Sequence, residues 1–326
     1  MKDNRRPDIN NNLLAYLRFE LDNQQVTFLS SPTPVKGGFD TRIFSFQLKG
    51  VPSEVSCPLI LRLFGKSSQN RATFESAVQN AVADSGYPAP RVFFICTDES
   101  VLGGSFMIME LIPGQPMANL PVEIIPEMLA KAHLHLHSID AEPVRNALDV
   151  AGVHRDRYSI EGRFGWIVER IEAGGFDWLQ LGLRWIVETR PVDPVRLVVC
   201  HGDFHPINIL TQEGEVTGVV DWSGFLISDP AYDIGITRVL GTVAAPFLFP
   251  EVNWIQLFDR YHDYYQRKCP VDPARVEYYE AFRCLWALLE GSEGHAAWGH
   301  PETMRRLSEH FEKITRVRLT LPKASK

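Results

Sequence analysis

The hydrophobic pattern of this 326-residue chain changes period once, at Ile112–Pro116. Before that point the apolar residues fall into short, strand-like runs. In Thr41–Leu48, Phe44, Phe46 and Leu48 point one way and Ser45 and Gln47 the other, the period of two that a half-buried strand needs. Gln25–Leu29, Leu59–Phe64, Arg91–Cys96 and Ser105–Leu111 read as four more strands. The prolines and glycine of Ile112–Pro116 break the last of these, and beyond Pro121 the spacing is mostly helical. Strands first and helices after are the pattern of an α+β fold, in which sheet and helices segregate. The boundary is placed near residue 112, giving a small sheet unit over 1–111 and a larger, mostly helical one over 112–326.

Two helices belong to the first unit. Ile9–Leu21 sets Leu13, Leu14 and Leu17 on one face, and Ser68–Asp84 sets Phe74, Ala77, Val78, Ala81 and Val82 on another. Gly86, Pro88 and Pro90 stop the second. Ser31–Asp40, with two prolines and the adjacent Gly37 and Gly38, reads as a turn-rich link. In the second unit helices are predicted at Pro126–Ser138, Gly162–Glu172, Asp177–Thr189, Asn253–Lys268, Asp272–Glu290 and Pro301–Arg316. The seam between two such units is a natural place for a ligand.

Charge and cysteine usage remove several function classes. Lys plus Arg number 33 against 40 Asp plus Glu, a formal net charge of -7, which argues against a nucleic-acid partner bound through bulk charge. The five cysteines are widely spaced and never form C-x-x-C, so neither a disulfide framework nor a zinc site is expected, and a reducing cytoplasm fits. Met1–Asn12 is polar and lacks the apolar region of a signal peptide. Val239–Phe258, the longest weakly charged stretch, is interrupted by Pro246, Pro250, Glu251 and Asn253 and is not read as a membrane span. No membrane partner is expected, and the oligomeric state is left open.

One strand-rich island interrupts the helices. An apolar strand, Leu197–Cys200, runs into His201-Gly-Asp203; Asn208 follows five positions later; a second strand and a turn at Glu213-Gly214 lead to Val216–Asp221. Asp203, Asn208 and Asp221 thus leave strand ends within a short span. A hard cation such as Mg²⁺ takes oxygen ligands, usually one or two carboxylates plus substrate phosphates, and Asn208 and Asp221 supply an amide and a carboxylate oxygen. Asp203 then remains to orient or deprotonate a hydroxyl. That division of labour matches the protein-kinase loop H-R-D-x-x-x-x-N with its downstream D-F-G, which here reads H-G-D-x-x-x-x-N and Asp221-Trp-Ser. His205 lies where protein kinases carry a catalytic-loop lysine. A metal reading of His201, Asp203 and His205 as H-x-D-x-H is disfavoured, because no further ligand cluster stands at suitable spacing. Downstream, Asp229 and Pro230 read as a helix N-cap and first residue, and Asp233, one turn in, as a brace for the loop.

At these residues the chain resembles the aminoglycoside phosphotransferase and choline kinase superfamily, relatives of protein kinases. The resemblance rests on His201–Leu210, Gly218–Trp222 and Asp229–Asp233, and spans about residues 20–240. It implies a protein-kinase-like bilobal α+β fold with a small antiparallel-sheet N-lobe and a larger, mostly helical C-lobe. It implies an ATP- and Mg²⁺-dependent phosphotransferase acting on a hydroxyl of a small molecule, with Asp203 as catalytic base or positioner and Asn208 and Asp221 as metal ligands. Gly37 and Gly38 fall at the nucleotide loop, Arg62 takes the place of the third-strand lysine and faces Glu75, and backbone groups near Glu110 and Ile112 would bind adenine. Arginine keeps the charge in a planar fork, so phosphate binding and pairing with Glu75 remain feasible. Gly37-Gly38 departs from G-x-G-x-x-G, and Gly65-Lys66-Ser67 fails as a P-loop because residue 60 is Ile.

The acceptor is not specified. Asp263, Glu277, Glu280, Glu290 and Glu293 could line a pocket for a cationic aminoglycoside. Trp286, Trp298, Tyr278 and Tyr279 could hold an amino alcohol by cation–π contacts, though packing is the plainer reading, and a macrolide would want a broad apolar groove. Of His133, His135 and His137, only the first and last share a helix face, and no carboxylate at helical spacing supports a metal there. A nucleotide-binding pseudokinase and a metal-dependent hydrolase are the alternatives from other classes.

Overall fold

Alternation in the first third produces a five-stranded antiparallel sheet in the computed structural model, which describes residues 8–35, 41–65, 69–192, 196–248 and 250–322. Its strands are β1 (Thr27–Pro34), β2 (Arg42–Lys49), β3 (Leu59–Leu63), β4 (Val92–Cys96) and β5 (Phe106–Glu110), in the order β1-β2-β3-β5-β4. Phe44, Phe46 and Leu48 are buried on one face, as the period of two demands, and pack with Leu13 and Leu17 of α1 (Ile9–Glu20). Asp8 caps α1 by accepting from the N–H groups of Asn10 and Asn11. The second helix, α2 (Gln69–Asp84), buries Ala72, Phe74, Val78 and Val82.

The turn-rich reading of Ser31–Pro34 is corrected. These residues continue β1, with Thr33 opposite Ser45 and Pro34 opposite Phe44. The prolines are tolerated because β1 is an edge strand and its register shifts twice between Phe28 and Thr33, so no ladder N–H is missed. Gly37 and Gly38 lie outside the described residues.

The chain divides into two compact units, one running to Gly114 and including Leu210–Val220, the other comprising Gln115–Ile209 and the residues from Asp221 on. The hairpin of β7 (Ile209–Gln212) and β8 (Glu215–Val219) therefore folds largely with the first unit. It is tied there by the Val219 N–H donating to Pro88 O at 2.7 Å and the Thr217 hydroxyl donating to Pro113 O at 2.7 Å.

The second unit is helical: α3 (Ile125–Ser138), α4 (Ala141–Val150), α5 (Ile160–Ala173), α6 (Gln180–Glu188), α7 (Pro230–Val239), α8 (Trp254–Lys268), α9 (Pro273–Ser292) and α10 (Pro301–Thr315). Helix α4 was not legible in the sequence, because its buried set is only Ala141, Val144 and Leu148. A two-stranded ribbon, β6 (Val198–Cys200) with β9 (Leu226–Ser228), was half legible. Its second strand has three residues, too few for a pattern. No helix among the described residues is long and apolar enough to cross a membrane.

Candidate active site

The β6–β9 ribbon sets the geometry of the loop. Antiparallel pairing of Cys200 with Leu226 and of Val198 with Ser228 makes the chain leaving β6 at His201 run beside the chain entering β9 from Asp221. The two segments touch at Gly202 and Gly224. Gly202 has φ +74, and a Cβ there would lie 2.1 Å from Gly224 O, so the middle residue of His-Gly-Asp must be glycine. The His201 ring lies 4.6 Å from that of Trp222, centroid to centroid. Asp221 itself has φ +66, a conformation a non-glycine residue adopts rarely and one that recurs at functional sites.

The predicted loop residues meet. The Asn208 amide Nδ2 donates to the Asp203 carboxylate at 2.9 Å and to the Asp203 carbonyl at 3.0 Å, and lies 3.2 Å from His205 Nε2. His205 Nε2 is 3.4 Å from the same Asp203 oxygen. Burial pushes the Asp203 carboxyl up, but the His205 ring, then His201 and Arg283, overcome it and hold the group at about 2. Burial alone would lower His205, whereas the carboxylates of Asp203 and Asp221 raise it above its ordinary value. Because both amide protons of Asn208 face Asp203 and His205, its Oδ1 is left without a donor among the described residues. A free amide oxygen near carboxylates is the donor set a hard divalent cation takes, so these residues fit Mg²⁺.

Asp233 braces the loop with its charge. Its two oxygens accept four hydrogen bonds, from the N–H groups of His201 at 2.6 Å and Gly202 at 2.8 Å and from His133 Nε2 at 3.0 Å and His137 Nε2 at 3.3 Å. The phenols of Tyr261 and Tyr265, both raised by burial, donate to the Nδ1 atoms of His133 and His137 at 2.6 and 2.7 Å. That geometry leaves the Nε2–H of each ring to face Asp233. The sequence did not show that the missing carboxylate for His133 and His137 comes from a helix about a hundred residues away. The three side chains stand close enough for a metal, but every ligand atom is already engaged, and the cluster is satisfied as a hydrogen-bond network.

This network makes the fold acid-sensitive. Burial and the neighbouring His133 push His137 down to about 4, with Asp233 offsetting only part. The unfolded chain takes up that proton near pH 6.5 and the folded one only near 4, so between these values the unfolded state binds more protons and stability falls as pH falls. The melting temperature is expected to drop by about 3–4 °C from pH 7 to pH 4.5 through this group. A flat profile over that range in differential scanning fluorimetry would show that His137 is not held neutral.

In the sheet unit, Arg62 of β3 and Arg71 of α2 both clamp the buried Glu75, with Arg62 Nη1 at 2.7 Å and Arg71 Nε at 2.6 Å from its two oxygens. The carboxylate thus holds the planar Arg62 guanidinium in place. The Glu110 N–H donates to Arg91 O, whereas the Ile112 N–H makes no backbone hydrogen bond among the described residues. Of the two expected adenine contacts, Ile112 therefore retains its donor.

Comparison with known proteins places this geometry. The family model described as the phosphotransferase enzyme family matches residues 31–279. An aminoglycoside 3'-phosphotransferase of Streptomyces fradiae is 29% identical over 208 residues, 60% of this chain and 75% of that protein. Acyl-CoA dehydrogenase family member 11 of Pongo abelii is 25% identical over 170 residues, 49% of this chain, which spans only 22% of that longer protein. Among solved structures, a thermostable mutant of aminoglycoside phosphotransferase APH(4)-Ia in ternary complex with AMP-PNP and hygromycin B superposes with a TM-score of 0.60 at 17% identity, over 92% of this chain and 97% of that one. The GDP complex of an aminoglycoside 2'-phosphotransferase-IIIa mutant does so with a TM-score of 0.59 at 18% identity, over 94% and 97%. These likenesses establish the kinase-like fold.

Proposed function

The chain belongs to the phosphotransferase enzyme family, and from that premise we propose that it transfers the γ-phosphoryl group of ATP to a hydroxyl of a small molecule. The observation that carries this is the Asp203–Asn208 pair, held on a loop whose backbone Asp233 grips from beneath. The AMP-PNP and hygromycin B of one structural relative support the nucleotide and the hydroxyl acceptor.

In this reading the acceptor oxygen bonds to the γ-phosphorus as the bond from that phosphorus to the β–γ bridging oxygen breaks. ADP leaves, and the hydroxyl proton passes to the Asp203 carboxylate and then to water. A carboxyl held at about 2 is a weak base, so Asp203 acts chiefly by aligning the hydroxyl and receives the proton late. Phosphoryl transfer tolerates this, because its loose transition state demands positioning more than nucleophile activation. Asn208 Oδ1 and Asp221 would hold Mg²⁺, which when bound neutralises phosphate charge. Arg62, steadied by Glu75, would bind phosphate, Gly37 and Gly38 are assigned to the nucleotide loop from the sequence alone, and the backbone at Glu110 and Ile112 would meet adenine. His205 keeps the Asp203 carboxylate ionised. The reaction points to the cytoplasm, where ATP is available.

Mg²⁺-dependent release of ADP across a panel of hydroxyl compounds tests the reading. ATP binding with no acceptor ever phosphorylated would favour a nucleotide-binding module, and cleavage of phosphate esters without ATP a metal-dependent hydrolase. Asp221→Ala is expected to weaken Mg²⁺-ATP binding by about tenfold or more, read by titration calorimetry. Unchanged affinity would remove Asp221 from the metal site.

A further inference from the structure

Three of the five acidic residues that the sequence offered for recognising a cationic acceptor are already used by the protein's own cations. Glu280 is paired with Arg238 and His310, Glu290 with Arg283, and Glu293 with Arg170. Asp263 and Glu277 are exposed on their helices. The faces of Trp286 and Trp298 are likewise taken. The Arg283 guanidinium lies 4.3 Å from the Trp286 ring centroid and 4.5 Å from that of Trp298, and Arg163 lies 4.5 Å from Trp286. An amine would have to displace a guanidinium from either aromatic face.

What remains is a surplus of positive charge with unmet hydrogen-bonding capacity. Arg283 is only 5% exposed, yet among the described residues it makes a single side-chain hydrogen bond, a long one of 3.3 Å from Nη1 to Glu290. Its Nε is buried without a partner, as is the indole N–H of Trp286. Arg163, on α5, has no ion pair and no side-chain hydrogen bond among the described residues. Two arginines and one glutamate leave the cluster at +1. A buried guanidinium with so few acceptors is costly unless something else supplies them.

Helix α9, which carries Arg283 and Trp286, packs along α7, which carries Asp233, the residue that grips the catalytic loop. Tyr232, the residue beside Asp233, is buried there with its phenol unpartnered.

We propose that the acceptor is a hydroxy acid, its carboxylate held by Arg283 and Arg163 against Trp286 while its hydroxyl is presented to Asp203. This rests on the kinase reading above and narrows its substrate class. A planar carboxylate matches the guanidinium fork, and its single charge matches the +1 of the cluster better than a phosphate dianion does.

The test compares kcat/KM for hydroxy acids of graded length with their carboxamides, with matched amino alcohols and aminoglycosides, and with hydroxyalkyl phosphates, using wild-type protein, Arg283→Gln and Arg163→Gln. Hydroxy acids are expected to be the best acceptors, with KM rising about 10- to 100-fold on going to the carboxamide or to Arg283→Gln, the cost of losing a charge-assisted hydrogen bond. The KM for ATP is expected to stay unchanged, a split that general destabilisation would not give. Arg163→Gln, at a half-buried and unpaired site, guards against a fold defect in the other variant and is expected to shift the same KM in the same direction. Preferred phosphorylation of amino alcohols or aminoglycosides would overturn the proposal and leave the kinase reading standing. Preference for hydroxyalkyl phosphates would overturn the carboxylate assignment. ATP binding with no acceptor of any class phosphorylated would overturn the kinase reading and this proposal with it.

Discussion

Replacing Asp203 by asparagine is expected to lower turnover by about two to four orders of magnitude, the range for loss of a positioned proton acceptor, while leaving ATP affinity within a few-fold of the parent. The substitution keeps shape and removes charge. In the folded protein that charge is firmly held, since the carboxyl sits at about 2 against the upward push of burial. Asparagine can still accept from Asn208, but it cannot take the acceptor's proton, and raising the pH would not restore activity. The loop should survive, because its backbone is gripped by Asp233 rather than by Asp203. Initial rates of ADP release, with calorimetric titration of ATP, separate chemistry from binding. Near-normal turnover in this variant would remove Asp203 from the reaction.

The second large effect is expected at Asp233, and it should be read first in stability. Asp233→Ala leaves two buried backbone N–H groups and two imidazole N–H groups without their acceptor. Removing one partner of a buried charged network costs about 3–5 kcal/mol. For a chain of this size that is a drop of about 4–7 °C in melting temperature. Asp233→Asn should be intermediate, because one amide oxygen can still accept while the NH₂ faces other donors. Any folded fraction should lose turnover more than ATP affinity, since the brace holds His201-Gly-Asp203. The acid side has a sign of its own. The carboxyl of Asp233 is held well below the usual range because His133 and His137 outweigh its burial, so its contribution is present above about pH 4 and fades only below that. A melting temperature for Asp233→Ala within 2 °C of the parent would show that the loop stands without its brace.

The hydrophobic period was legible along the chain itself. The alternation around Phe44, Phe46 and Leu48 gives a buried sheet face whatever the rest of the chain does. The five-residue interval from Asp203 to Asn208 brings the two side chains together within one turn of loop, which spacing alone predicts. Ser31–Pro34 was misread because proline is a turn signal until one knows that the strand lies at a sheet edge. The readings of His133 and His137 and of the acidic residues near the C-terminus were incomplete for a related reason. Their partners, Asp233 for the histidines and Arg170, Arg238 and His310 for the glutamates, are distant in sequence.

The sequence by itself determined the order of strand and helix and the meeting of Asp203 with Asn208, the pair to which we assign the chemistry, because hydrophobic period and short-range spacing act between residues close along the chain. Only the tertiary structure decided the electrostatics. It holds Asp203 ionised, keeps His137 neutral, engages the glutamates that had suggested a cationic acceptor and leaves Arg163 and Arg283 short of partners. Charge and hydrogen bonding inside a protein depend on distance through space and on exclusion of water, and neither is encoded in separation along the chain.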